Sequence, residues 1–137
     1  MQDGQPHLAR QATPRLGIQE GEIRSRIAAG DWLRQVFIVS VTVKGQMEHL
    51  AFVRPSWHRH FLPICTWEMR AERPYRDIDR LLRLLREEFR YRGAIPVYLE
   101  SDPRLAVYRA WQGRQAESRS TPTRPDASGR SPGGDEA

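Results

Sequence analysis

The sequence predicts a single α+β domain of element order α-β-β-β-α-β-α, with a short antiparallel sheet built on one hairpin and one long amphipathic helix packed across it. Three observations predict it. From Pro74 to Gly93, the apolar residues Tyr75, Ile78, Leu81, Leu82, Leu85 and Phe89 fall on one side of a helical cylinder at about 100° per residue. From Leu33 to Lys44 the chain is dense in Val, Ile, Phe and Thr, the residues that suit a pleated, half-buried strand. Between them, Gly45 supplies a turn and Met47–Arg54 a second apolar run, the pattern of a hairpin.

In chain order, residues 1–17 hold Gly4, Pro6, Pro14 and Gly17 and few large apolar groups, which predicts a flexible arm. A short helix is expected from Gln19 to Ala29, with Ile23 and Ile27 one turn apart and Gly30 as its terminator. In the first strand, Phe37, Val39, Val41 and Val43 share one face and Val36, Ile38, Ser40 and Thr42 the other. With Gly45 and Gln46 as a two-residue loop, Val41 would oppose Leu50 and Val39 would oppose Phe52, giving a hairpin of about residues 33–44 and 47–54. Pro55-Ser56 ends the second strand. Phe61 to Glu68 reads as a third strand that Pro63 would confine to an edge or a bulge. The long helix is expected over residues 74–92, with Pro74 in its first turn, Asp77 and Asp79 near its positive end and Gly93 as its stop. A short strand follows at Ile95–Leu99, then a last helix opened by Asp102-Pro103, carrying Leu105, Tyr108 and Trp111 on one face and ending near Gly113. From Arg114 onward no Leu, Ile, Val, Phe, Trp or Tyr occurs, so residues 113–137 read as a disordered tail and residues 18–112 as the folded domain.

Composition narrows the function classes. Of the 22 basic residues only Lys44 is lysine, and the net charge is +5. The basic residues outnumber the acidic ones by 7 to 5 over residues 18–71 and by 9 to 7 over residues 72–112, so no dense basic block forms. Cys65 is the only cysteine, which excludes an intrachain disulfide and suits a reducing, cytoplasmic compartment. Residues 1–17 have no apolar signal core, and no apolar run approaches the roughly 20 residues of a membrane span.

Two stretches carry candidate sites. Arg54, Trp57, His58, Arg59 and His60 combine cations, an indole and imidazoles beside a sheet edge, a mixture that lets an aromatic stack on a base while arginines hold phosphates. The bland reading is that Trp57 and Phe61 cover the sheet, as large aromatics at strand ends usually do, and that the cations are solvated. On the long helix, Arg76, Arg80, Arg83, Arg86 and Arg90 form a second basic surface that could follow a phosphate backbone or meet an acidic protein. The bland reading of that face is a solvated one laced by the pairs Asp79–Arg83, Arg83–Glu87 and Glu87–Arg90, each contributing about 0.2–0.5 kcal/mol. His58 and His60, even with Cys65 or His49, lack the spacing of a zinc site, and no phosphate loop, dinucleotide fingerprint or nucleophile elbow occurs, so neither metal nor cofactor is expected. The neighbours Leu62, Ile64 and Trp67 predict that Cys65 is a buried, inert thiol.

The order α-β-β-β-α-β over about residues 19–99 resembles the core of the PD-(D/E)xK nuclease superfamily. On that resemblance Glu68-Met69-Arg70 stand for the Glu-x-Lys of the third strand, Glu48 for the acid of the second strand and Glu20 or Glu22 for the acid of the first helix. The resemblance implies a Mg²⁺-dependent nuclease. Arg70 stands where the family has lysine, and no Pro-Asp pair is present. Arginine stabilises charge but is a poor proton acceptor at neutral pH. The residues therefore favour binding without catalysis: a small accessory or regulatory protein of a bacterium or mobile element that contacts nucleic acid, with a protein-interaction module built on the Arg helix face as the rival expectation.

Overall fold

A computed structural model describes residues 15–66 and 72–112. The expected arm (apart from residues 15–17) and the expected tail lie outside the described residues, as do Glu68 and Arg70. The chain divides into two compact units, residues 1–103 and 104–137.

The first unit is α+β. Strand β1 (Ile18–Gln19) runs directly into helix α1 (Glu20–Ala28), followed by β2 (Leu33–Val43), β3 (Gln46–Pro55), β4 (Leu62–Cys65), helix α2 (Ile78–Arg83) and β5 (Val97–Leu99). The five strands form one sheet in the order β1-β4-β3-β2-β5. Helix α1 buries Ile23 and Ile27 and is closed by Gly30 at φ +105°, as the spacing predicts.

The sheet is mixed rather than antiparallel. β2–β3 and β3–β4 are antiparallel, but β5 pairs parallel with β2 and β1 parallel with β4. A helical connection explains β5: β4 runs in the same direction as β2, and a crossover through α2 brings the next strand back in that direction. β4 is not an edge strand, because β1 pairs outside it at Ile64 and Cys65. Pro63 is tolerated because the β1 pairing begins one residue later.

The hairpin register differs from the expected one by two residues. Val39 opposes Leu50, Val41 opposes Glu48 and Phe37 opposes Phe52. The loop is Lys44-Gly45, with φ of 52° and 79°, the doubly positive conformation that matches the twist of a two-residue hairpin. A two-residue slip preserves side-chain alternation, so the predicted face assignment survives the change of partner.

Each face of the sheet has its own apolar layer. Val36, Ile38, Ala51 and Val53 meet Ile23 and Ile27 of α1 and Leu81, Leu85, Phe89 and Tyr91 of the α2 region in one buried cluster. On the other face Phe37 and Phe52 stack at 4.7 Å between centroids, and Phe61 and Tyr98 present edges to Phe37 at 4.9 and 6.2 Å. Fully burying a side chain of this size stabilises the fold by about 1.5–3 kcal/mol.

The expected long helix is much shorter. Residues 72–75 are extended instead: Tyr75 exchanges two backbone hydrogen bonds with His49 (2.8 and 2.9 Å), and Arg73 N–H donates to the Ile64 carbonyl at 2.8 Å. β4 pairs with β3 only at Phe52 and Val53, so the β3 backbone at His49 is open to this return. The helix starts at Asp77, whose carboxylate accepts from the N–H groups of Asp79 (3.0 Å) and Arg80 (3.2 Å). After Arg83 it widens into a π turn (Leu84–Glu88), and Arg90, at φ +58°, ends it. Gly93 is therefore not the stop. Tyr91 N–H closes the end on the Leu85 carbonyl at 2.9 Å, a left-handed cap widened by the π turn.

The expected last helix is broken. A 3-10 turn (Pro103–Val107) precedes Tyr108, and helical residues follow at 109–112. Leu105 and Trp111 are buried. Among the described residues no helix is long and apolar enough to cross a membrane.

Candidate nucleic-acid interface

The loop after β3 does not stand alone. Hydrogen bonds tie it to the turn between α1 and β2. Ser56 N–H donates to the Trp32 carbonyl (2.9 Å), Trp32 N–H donates to Ser56 Oγ (3.3 Å) and Ser56 Oγ donates to Asp31 (3.2 Å). Arg34 Nη2 donates to the Ser56 carbonyl at 3.1 Å. The β2–β3 ladder places these segments side by side, with Leu33 opposite Pro55 and an irregularity between Leu33 and Gln35 at Arg34. Such a bulge re-aims the side chains around it. The result is a corner built from residues 31–35 and 54–60.

The predicted residues occupy this corner in different ways. Arg54 is held by the Arg59 carbonyl (3.1 Å) and by Gln35 Oε1 (2.9 Å), so its guanidinium is oriented along the strand end. Trp57 is half-buried and packs against the helix-side core. The Arg26 guanidinium covers its ring at 4.6 Å, and its Nε1 is buried without an acceptor among the described residues. His60 N–H donates to His58 Nδ1 at 3.2 Å, and the two rings lie edge to face at 6.2 Å. Arg59 is exposed and makes no hydrogen bond or ion pair through its side chain among the described residues.

The indole that faces solvent here is Trp32, 59% exposed. Sequence reasoning missed it together with Arg26 and Arg34. One signal was present: Trp32 follows Gly30-Asp31 and precedes the alternating run, where no core position requires a large aromatic. Asp31, the acid of this corner, is already engaged by Ser56 and lies 3.2 Å from Arg26 Nε. Among the described residues Arg34, Arg54 and Arg59 are left without a facing carboxylate. An exposed aromatic beside several uncompensated guanidiniums can stack on a base and bind the adjoining phosphates.

The five arginines of the second surface are not brought together as one stripe. Arg76 lies before the helix and pairs with Glu48 at 3.5 Å. Arg86 donates to the carbonyls of Tyr91 (2.9 Å) and Gly93 (2.7 Å), fastening the helix end. Arg90 forms the left-handed cap. Arg80 and Arg83 have no side-chain partner among the described residues, and none of the pairs Asp79–Arg83, Arg83–Glu87 or Glu87–Arg90 forms.

Of the acids in the nuclease resemblance, Glu48 is held by Arg76, and Glu22 is bonded to Arg15. Glu20 accepts from Tyr75 Oη and from Arg24 (3.0 Å) and forms an ion pair with Arg73 at 3.0 Å. Burial, reinforced by the bond to Glu20, pushes the Tyr75 phenol far above its ordinary range. Burial first, and then the charge of Glu72, raises the Cys65 thiol, the direction of an unreactive cysteine. Among the described residues no three His, Cys, Asp or Glu side chains gather as metal ligands.

Comparison of the chain with protein-family models, with curated proteins and with solved structures finds no significant match in any of the three.

Proposed function

We propose that this protein binds nucleic acid without catalysing a reaction, as an accessory or regulatory factor, and that the corner of residues 31–35 and 54–60 is the contact surface. The exposed Trp32 indole, on a corner whose backbone is tied to Ser56 and which also carries Arg34, Arg54 and Arg59, is the observation that supports this reading most. In this reading Trp32 stacks on an unpaired base. Arg59 and Arg34 hold phosphates, and Arg54 sets the loop. Trp57 supports the corner from within and does not touch the ligand.

The test is fluorescence anisotropy of labelled single-stranded and double-stranded DNA and RNA, titrated with the full chain at two salt concentrations in EDTA. Single-stranded probes should bind more tightly than duplexes, with a slope of log K on log salt of about −1.4 for the two phosphate contacts. Trp32→Ala should weaken binding by roughly 5-fold to 100-fold, the range of one lost base–aromatic stack. Arg80→Ala with Arg83→Ala should leave it unchanged. Absence of binding to every probe at low salt would reject the reading.

A further inference from the structure

A separate concave site lies between α1, the extended residues 73–77 and α2. It is a groove of about 520 Å³, within the range of small-ligand pockets, and its walls include Glu20, Arg73, Tyr75, Arg80, Arg83 and Glu87. Most of its charges are neutralised from within. Glu20 is taken by Tyr75, Arg24 and Arg73, and Glu88 by Arg24 at 2.7 Å. The Asp77 carboxylate caps the helix, and Arg76 is paired with Glu48. Among the described residues the remainder without a partner is specific: two guanidinium groups, Arg80 and Arg83, and one carboxylate, Glu87.

That remainder describes a complementary ligand. Arg80 and Arg83 are three residues apart on one helical turn, so their side chains emerge as neighbours and can grip one anion. Two positive charges match the dianion of a phosphate monoester, and guanidinium forks suit its oxygens. A free carboxylate on the same wall repels a second anionic group but accepts hydrogen bonds from hydroxyls. We propose that this groove binds a small sugar phosphate, with the phosphate monoester on Arg80 and Arg83 and sugar hydroxyls on Glu87. The volume holds such a molecule with little room for a folded partner. Glu20, Arg24 and Arg73 are already paired with one another, so they do not compete with Arg80, Arg83 and Glu87 for the ligand.

The probes are ribose 5-phosphate and adenosine 5′-monophosphate, titrated into the labelled full chain and followed by NMR at the arginine Nε–H and backbone amide signals. Saturable shifts at Arg80 and Arg83 below roughly 10 mM ligand are expected. Equal affinity for the two probes assigns the site to the sugar phosphate itself, and tighter binding of the monophosphate assigns it to a nucleotide. Arg80→Gln with Arg83→Gln should weaken binding at least 10-fold. Glu87→Ala should weaken ribose 5-phosphate but not inorganic phosphate. Circular dichroism of each variant should match the parent, since all three side chains are exposed. Succinate binding as tightly as ribose 5-phosphate, or unchanged affinity in the double variant, would overturn the proposal. Trp32→Ala leaves this site intact, so the groove and the nucleic-acid corner stand or fall separately.

Discussion

At the scale of single residues, Lys44 in the hairpin loop and Arg90 carry backbone conformations that their side chains do not favour. Arg90 sits at φ +58° and ends the second helix, where glycine would avoid the Cβ clash of roughly 1–2 kcal/mol. Arg90→Gly should therefore stabilise the fold by up to about 1 kcal/mol in urea denaturation, after the entropy that glycine adds to the unfolded chain. Arg90→Val should destabilise it, since a β-branched residue tolerates positive φ least. A fall in stability for both variants would contradict the cap assignment. Buried His49 makes a second residue-scale case. Its Nδ1 lies 2.7 Å from Ser40 Oγ, and burial lowers its pKa below the ordinary histidine value. The folded state thus prefers neutral His49, while the unfolded chain takes up a proton near pH 6.5. The resulting stabilisation is complete above about pH 6.5 and declines as pH falls toward and through the folded pKa. Urea midpoints measured from about pH 7 to pH 5 should fall. His49→Gln should flatten that slope even if it lowers stability throughout.

At the scale of elements, the second helix shows how a correct apolar pattern can yield the wrong boundaries. Leu81, Leu85 and Phe89 are buried, as the periodicity predicts. Periodicity does not reveal that the β3 backbone at His49 is open, and residues 72–75 pair there instead of entering the helix. Nor does it reveal the π turn, which admits one extra residue without moving the buried stripe from the core. The start of the helix depends on Asp77, so Asp77→Ala should cost about 1 kcal/mol of unfolding free energy, whereas Asp79→Ala should cost little. The hairpin teaches the same lesson more gently. Gly45 marks the turn, but Lys44 rather than Gln46 joins it, because the doubly positive loop keeps Val43 opposite Gln46.

At the scale of the whole molecule, surface and core compete for the same residue types. Trp57, which the sequence leaves open between a stacking platform and a cover for the sheet, packs under Arg26 against the helix-side core, while Trp32 faces water. Thermal unfolding separates the two roles. Trp57→Ala should lower the melting temperature clearly, in line with the few kcal/mol lost when a packed aromatic is removed. Trp32→Ala should leave the melting temperature nearly unchanged and reduce nucleic-acid affinity. The reverse pattern would exchange the roles assigned to the two indoles. Part of the corner was legible beforehand, because Arg54, Arg59 and the histidines form one sequence run. Arg26, Trp32 and Arg34 were not, because they lie far from the loop in the chain: Trp32 and Arg34 reach it through Ser56 and the β2–β3 ladder, and Arg26 over the Trp57 ring.

The sequence by itself determined the α+β class, the first helix with its Gly30 stop, the two faces of the hairpin and the buried stripe of the second helix. All of these follow from local periodicity and from turn residues, which act over a few positions of chain. Only the tertiary structure decided the mixed sheet, the late start and left-handed end of the second helix, the partnering of most arginines and which of Trp32 and Trp57 faces solvent. Each of these depends on which backbone groups and which charges were already satisfied by distant segments, and a buried hydrogen-bonding group takes whatever partner the fold brings to it.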